Sequence, residues 1–278
     1  MRAIDNEAIA AAAGVRFRSE HDYAVFEYLR SAKVIQALER AGVPLRGRVL
    51  DSGCGGGGTA LSLAEEAGFA VGLDLDGRFV GSGTRLRAER GIANAEFVQG
   101  DGGRLPFRDG VFDLVFSHSV IEHVTSAEAY LAECRRVLAP GGRLYLSTAP
   151  YLSFAGAHLP RLKLPFPLHL LLGRRLAFLS FRALARHAPW ALREPREANT
   201  FIALAEAGRE KRDDLLQKVT VRRLSAWIAG CGLRLLREER HPTGFFRALP
   251  GPLRRLLEAL PVARDVMVGQ IQCVLEKA

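Results

Sequence analysis

The sequence predicts an α/β fold in which a mostly parallel sheet carries helices on both faces and a helical insertion follows the fifth strand. Three observations predict it. Short apolar runs alternate with helical periodicities through residues 45–150, a glycine-rich turn follows the first of those runs, and the alternation breaks at Pro150.

Taken in order, residues 21–41 space Tyr23, Phe26, Leu29, Val34, Ile35 and Leu38 as a helix does, and Gly42 and Pro44 stop it. RVLDSG (48–53) is a strand of the fully buried type that runs into glycines. Residues 58–67 read as a helix, FAVGLD (69–74) as a second strand, and 78–90 as a charged helix with Asp76 at its N-cap. AEFVQGD (95–101) and VFDLVFSHS (111–119) are the third and fourth strands. Thr125 and Glu128 form a capping box before a helix that stops at Pro140-Gly141-Gly142, and RLYLSTA (143–149) is the fifth strand. Beyond Pro150, prolines at 160, 165 and 167 make an irregular start. Residues 174–188 then show helical spacing, with Arg175, Arg182 and Arg186 on one face and Ala177, Phe181 and Leu184 opposite. Thr220 caps a helix over 220–230, and 233–240 and 266–276 are closing strands. The expected organisation is an N-terminal helical segment (1–44), a nucleotide-binding core (45–150), a cap or substrate insertion (151–218), and a C-terminal helix and strands completing the sheet (219–278).

Of the 278 residues, 48% are apolar and 25% charged, a balance that excludes disorder, and no apolar run approaches the roughly 18 residues of a membrane span. The opening MRAIDNEAIA carries acids and lacks a long apolar stretch, so no secretory signal is expected. Cys54, Cys134, Cys231 and Cys273 are widely spaced and form no CxxC pair; reduced thiols in a cytoplasmic protein, and no metal site, are expected. The formal charge of +9 is uneven: residues 1–150 carry 17 Lys+Arg against 19 Asp+Glu, whereas 151–278 carry 22 against 11. An anionic partner is therefore worth considering only for the second half.

The stretch from Val49 to Gly58 (VLDSGCGGGG) is the most informative. A strand ends, glycines turn the backbone without side chains in the way, and a helix begins, so a ligand can approach main-chain N–H groups at a positive helix end. Gly53, Gly55 and Gly58 satisfy GxGxxG, and Asp74 lies 21 residues past Gly53, as a dinucleotide would want. Three features favour S-adenosylmethionine (SAM) instead. Asp51 would face a cationic ligand and repel a pyrophosphate; Asp101 closes the third strand, within reach of an adenine amino group; and Pro140-Gly141-Gly142 precedes the fifth strand.

VLDSGCGGGG, GLDLD, GDGGRLPFRDGVFDLVFSHSVIEHV and LAECRRVLAPGGRLYLST together resemble the successive motifs of class I SAM-dependent methyltransferases, in pattern the small-molecule enzymes of the ubiquinone-biosynthesis kind (methyltransferase type 11). The resemblance covers roughly residues 45–150. It implies a Rossmann-like, seven-stranded sheet and SAM as cofactor, with S-adenosylhomocysteine as product. It also implies that Asp51, Gly53 and Gly55 hold the methionine portion, with Cys54 giving only backbone. Asp74 would bind the ribose hydroxyls, Leu75 would pack on adenine, Asp101 and the Gly102 amide would read the adenine edge, and the Ser117 carbonyl would meet the methionine ammonium. The run of four glycines at 55–58 departs from the family pattern. It loosens the helix start by about 1 kcal/mol per extra glycine and has no functional account in the sequence.

Methyl transfer from a sulfonium is an in-line displacement whose catalysis is mostly positioning, with a base needed by some acceptors. His118, His123 and His158 lie near the expected cleft, and His158 is the favoured substrate contact. Residues 151–193 carry seven basic residues and no acid, among many leucines and phenylalanines, which suits an apolar or amphipathic acceptor, or peripheral contact with a membrane surface. Nucleic acid is not expected as a partner, since no RNA-binding module or stacking aromatic set is visible. The expected activity is methyl transfer to a small-molecule acceptor, with oxygen favoured. Its alternatives are an NAD-dependent oxidoreductase, which lacks a visible hydride-transfer set, and a non-catalytic SAM-binding or membrane-surface protein. Oligomeric state is not legible.

Overall fold

The computed structural model describes residues 3–16, 18–153, 162–163, 168–192 and 218–278. Seven strands are bonded in the order β3-β2-β1-β4-β5-β7-β6: β1 (Arg48–Ser52), β2 (Phe69–Asp74), β3 (Ala95–Gln99), β4 (Phe112–His118), β5 (Leu138–Thr148), β6 (Arg234–Pro242) and β7 (Val268–Glu276). β1 pairs in parallel with β2 and β4, β2 with β3, and β4 with β5. The start of β5 instead bonds the end of β7, Gly141 N–H to the Lys277 carbonyl at 2.8 Å, as strands of opposite direction do. β1 buries four residues in succession, Val49 to Ser52, because helices cover both faces; that is why the core strands read as continuous apolar runs.

The chain divides into two compact units. The first comprises 1–147, 227–238 and 272–278. Its core joins Val49, Leu114, Phe116 and Val274 of the sheet to Ala24, Tyr28, Ile35 and Leu38 of α2 (Glu20–Arg40), to Leu61, Leu63 and Ala64 of α3 (Gly58–Glu66), and to Leu86 of α4 (Gly77–Arg90). A further helix, α1 (Asn6–Val15), precedes α2 and is capped by Asp5, whose carboxylate accepts from Ala8 N–H at 2.9 Å. Four strongly periodic residues of α2 fall elsewhere than expected. Tyr23, Phe26, Leu29 and Val34 are only partly buried, and the fully buried face is Ala24, Glu27, Tyr28, Ser31, Ala32, Ile35 and Leu38. Small side chains let α2 approach α3 closely, and polar pairs bridge them: Tyr28 hydroxyl to Glu65 and Ser31 to Ser62.

Two local expectations are corrected. The helix α5 (Ala127–Val137) is capped by Ser126 rather than Thr125, with Ala129 N–H donating to Ser126 Oγ at 3.1 Å. It also ends before Pro140-Gly141-Gly142, which lies within β5 as a bulge: Phe112 pairs with Leu138, but Leu114 pairs with Arg143. Gly141 takes φ +72°, and a side chain at Gly142 would press on the Ala139 and Phe112 carbonyls.

The second unit comprises 148–226 and 239–271. Tyr151, Ala177, Phe181, Ala185 and Leu192 form its cluster around α6 (Leu168–His187), which breaks at Gly173 and starts earlier than the expected 174. The N-terminus of α7 (Val221–Gly230) is held twice. Arg223 N–H donates to Thr220 Oγ1 at 3.1 Å, and Val221 N–H to the buried Asp265 carboxylate at 2.8 Å. Helices Gly251–Ala259 and Pro261–Met267 stand between β6 and β7, so β7 begins two residues later than the expected 266. No described helix is long and apolar enough to cross a membrane.

Candidate functional site

The strand order reverses at β1, which has β2 on one side and β4 on the other; open α/β sheets bind ligands at the carboxyl ends of the strands beside such a point. Parallel pairing brings those ends to one edge. Asp51 lies opposite Gly72 of β2 and Phe116 of β4, Asp74 opposite Gln99 of β3, and His118 opposite Ser147 of β5.

The turn after β1 is tied to β2. Gly53 and Cys54 N–H groups donate to the Leu73 carbonyl at 2.7 and 2.9 Å, Gly55 N–H donates to Asp74 Oδ2 at 2.9 Å, and Gly57 N–H to the Cys54 carbonyl at 2.9 Å. The other Asp74 oxygen accepts from Asp76 N–H at 2.9 Å, while Asp76 itself caps α4 through Arg78 N–H. These amides are occupied by the protein, which differs from the open N–H cradle the sequence suggests and from what a pyrophosphate needs.

The four glycines at 55–58 have a packing explanation. Gly55 and Gly57 take φ of +52° and +84°, where L side chains are strained. Gly56 and Gly58 meet the α2 backbone: an added Cβ at Gly58 would lie 2.2 Å from the Ala24 carbonyl and 2.3 Å from Tyr28 N, and one at Gly56 would lie 2.7 Å from Ala24 Cα. The run is a seat for α2. Gly53, at φ +75°, is likewise closed off by Val120 from the loop after β4.

Three carboxyl groups surround this turn. Asp51 is 2% exposed; burial, reinforced by Glu27 and Asp74, holds its carboxyl well above the usual carboxylate range, and its Oδ2 is buried without a hydrogen-bond partner. Asp74 is raised chiefly by burial, against the two amides that favour its charged form. Glu27, raised to about 8 by burial, is the group that sequence reasoning missed. An acid one turn from Ala24 and Ser31, on a face of small residues, was the available signal.

The other expected site residues are placed as follows. Cys54 is buried, its Sγ against Gly72, and its thiol is pushed up by burial and the three acids, which leaves it inert. Leu75 is 71% exposed beside Asp74, an apolar surface suited to a flat ring. Asp101 is exposed and accepts from Gly103 N–H at 2.8 Å, and Gly100 N–H donates to the Asp74 carbonyl at 2.9 Å, so the β3 loop is tied to the same cluster. Gly102 lies against the Tyr130 ring, whose hydroxyl donates to the buried Ser117 Oγ at 2.8 Å. His118 ends β4 over the Phe116 ring; burial and then Arg30 lower it to about 4, leaving a neutral and weakly basic imidazole. His123 sits in the turn after β4, its N–H donating to the Val120 carbonyl at 2.8 Å. His158 lies outside the described residues, as do the rest of 154–161, 164–167 and residue 193. Among the described residues no group of His, Cys, Asp and Glu is arranged to hold a metal ion.

A doubly wound sheet, a turn whose Gly53, Cys54, Gly55 and Gly57 amides bond within the protein, and buried acids with open oxygens suit a cationic ligand at this edge. SAM, which joins an adenosine to a sulfonium and an ammonium, fits that donor set, and NAD does not. Residues 50–146 match the family described as methyltransferase domain. Among curated relatives, a demethylmenaquinone methyltransferase of Beutenbergia cavernae is 39% identical over 110 residues, 38% of this chain and 44% of that protein. A norajmaline N-methyltransferase of Rauvolfia serpentina is 37% identical over 106 residues, 35% of this chain and 34% of that protein. A SAM-dependent methyltransferase structure from Mesorhizobium loti shares the fold, with a TM-score of 0.55 at 18% identity over 87% of this chain and 96% of that one. The matches span 26% to 44% of the curated relatives' length. Residues 50–146 are thus similar to the methyltransferase domain family, and the sheet shares its fold with SAM-dependent methyltransferase structures.

Proposed function

We propose that this chain transfers a methyl group from SAM to a small, apolar or amphipathic acceptor, with oxygen favoured as the receiving atom. The observation that carries the reading is the pair of carboxyls, Asp51 buried and Asp74 half-buried, at a glycine turn whose Gly53, Cys54 and Gly55 amides bond within the protein, in a segment similar to methyltransferases. SAM, when bound, supplies an activated methyl group on a neutral leaving group. The chain's own work is to hold and orient. Asp51 and the backbone of Gly53, Cys54 and Gly55 would receive the methionine portion, Asp74 the ribose, Leu75 the adenine face, Asp101 and Gly102 the adenine edge, and the Ser117 carbonyl the ammonium. The relatives support a small-molecule acceptor without agreeing on the atom: their names specify a sterol carbon, an alkaloid nitrogen and a tocopherol oxygen. A histidine base, His158 first and His123 or His118 after it, is what favours oxygen here. The test is calorimetry with SAM and NAD, followed by S-adenosylhomocysteine release across a library of phenols, quinols, alcohols and amines. SAM binding with turnover on hydroxyl acceptors is expected; binding of NAD instead would overturn the reading.

A further inference from the structure

Glu27 has no part in the roles given above. It comes from α2, outside the segment that matches the methyltransferase family, and is 8% exposed. Its carboxyl lies against the turn: a Cβ at Gly55 would stand 3.3 Å from Oε1 and 3.5 Å from Oε2. Gly56 N–H and Tyr23 hydrogen-bond to the group, yet Oε2 is buried without a partner. The charged and titratable groups facing it are Tyr23 and Arg30 from its own helix, Asp51 from β1, Cys54 from the turn and Asp74 from β2. Glutamine would fill the same space without the desolvation cost of a third acid, so packing alone does not account for a carboxyl here.

We propose, on the reading that SAM is the cofactor, that Glu27 is a cofactor-binding residue whose open oxygen receives a cationic centre at the methionine end of SAM. Burial, with a smaller push from Asp74, keeps this carboxyl protonated to about pH 8 against the opposing Arg30, Tyr23 and Gly56 N–H. An arriving cation favours the carboxylate, so binding near neutral pH expels the proton from Glu27 to the buffer, and the carboxylate and cation pair. That links cofactor affinity to pH through a residue of the N-terminal helix.

The experiment is titration calorimetry of the full chain at pH 7 with SAM and with S-adenosylhomocysteine, in two buffers of different ionisation enthalpy, for wild type and Glu27→Gln. Wild type is expected to release a substantial fraction of one proton per SAM bound. Glu27→Gln is expected to bind at least tenfold more weakly, to lose most of that release, and to melt no lower than wild type without ligand. Equal losses for both ligands would assign the ammonium, which S-adenosylhomocysteine keeps; a loss confined to SAM would assign the sulfonium; either supports the proposal. SAM affinity within threefold of wild type, or undiminished proton release, overturns it. So does a variant that binds weakly and also melts lower, because Glu27 would then be structural. Failure of wild type to bind SAM at all would remove the functional reading itself.

Discussion

Gly58→Ala adds one methyl group where α3 begins under α2. The new Cβ would stand 2.2 Å from the Ala24 carbonyl oxygen and 2.3 Å from Tyr28 N, against about 3.4 Å for ordinary contact, so one helix must retreat by about 1 Å. The obstacle is backbone, which cannot rotate aside as a side-chain tip does. Overpacking of this kind costs about 1–3 kcal/mol, partly offset by the roughly 1 kcal/mol that alanine gains over glycine in a helix. A net loss of up to about 2 kcal/mol is expected. Gly81→Ala in α4 is the control, since nothing lies within 4 Å of its Cβ; it should gain up to about 1 kcal/mol. Urea unfolding reads both as midpoint shifts at constant slope. If Gly58→Ala equals or exceeds Gly81→Ala in stability, the seat for α2 is refuted.

Further outcomes follow from the same geometry. Unfolding Glu27 lowers its carboxyl from about 8 to the ordinary 4.5, so the folded chain binds more protons and its stability falls as pH rises between them. His118 acts oppositely between about 4 and 6.5, where the unfolded chain holds the proton that the folded chain refuses. The two offset below pH 6.5; above it Glu27 should cost about 2 kcal/mol by pH 8, at about 1.4 kcal/mol per unit, with the raised Asp51 and Asp74 carboxyls acting in the same direction, and urea midpoints unchanged across that range would count against it. Asp74→Asn should weaken SAM binding at least tenfold, because it removes the charge that accepts from Gly55 and Asp76 N–H; calorimetry showing an unchanged affinity would dismiss the role. His158→Ala should lose about 10²–10⁴ in turnover with SAM affinity intact, and a wild-type rate would remove it from the chemistry.

The five core strands were legible to within a residue or two at most ends because strands buried on both faces leave unbroken apolar runs. Asp51 and Asp74 were legible for a related reason: a side chain at the end of a parallel strand can only stand at the ligand edge. Glu27 was not, since it reaches the turn through packing across some 25 residues of sequence, and α2 buries small residues where a count of large ones looks for its face. The fifth strand's start was misplaced because proline and two glycines stop a helix and shape a bulge with the same residues; the partner strand decides. Asp101 shows the limit from the other side. Its position was readable, but its bond to Gly103 N–H belongs to a loop whose shape no periodicity encodes.

The seat for α2 has a consequence for what counts as the cofactor domain. The match to the methyltransferase domain family begins at residue 50, yet the wall behind the glycine turn is Ala24, Glu27 and Tyr28. A fragment starting at residue 45 would keep every matched motif while baring glycines shaped to another helix. The matched segment and the compact unit thus differ by this helix among other elements, and a graft of residues 50–146 into another protein would carry the signature without its support.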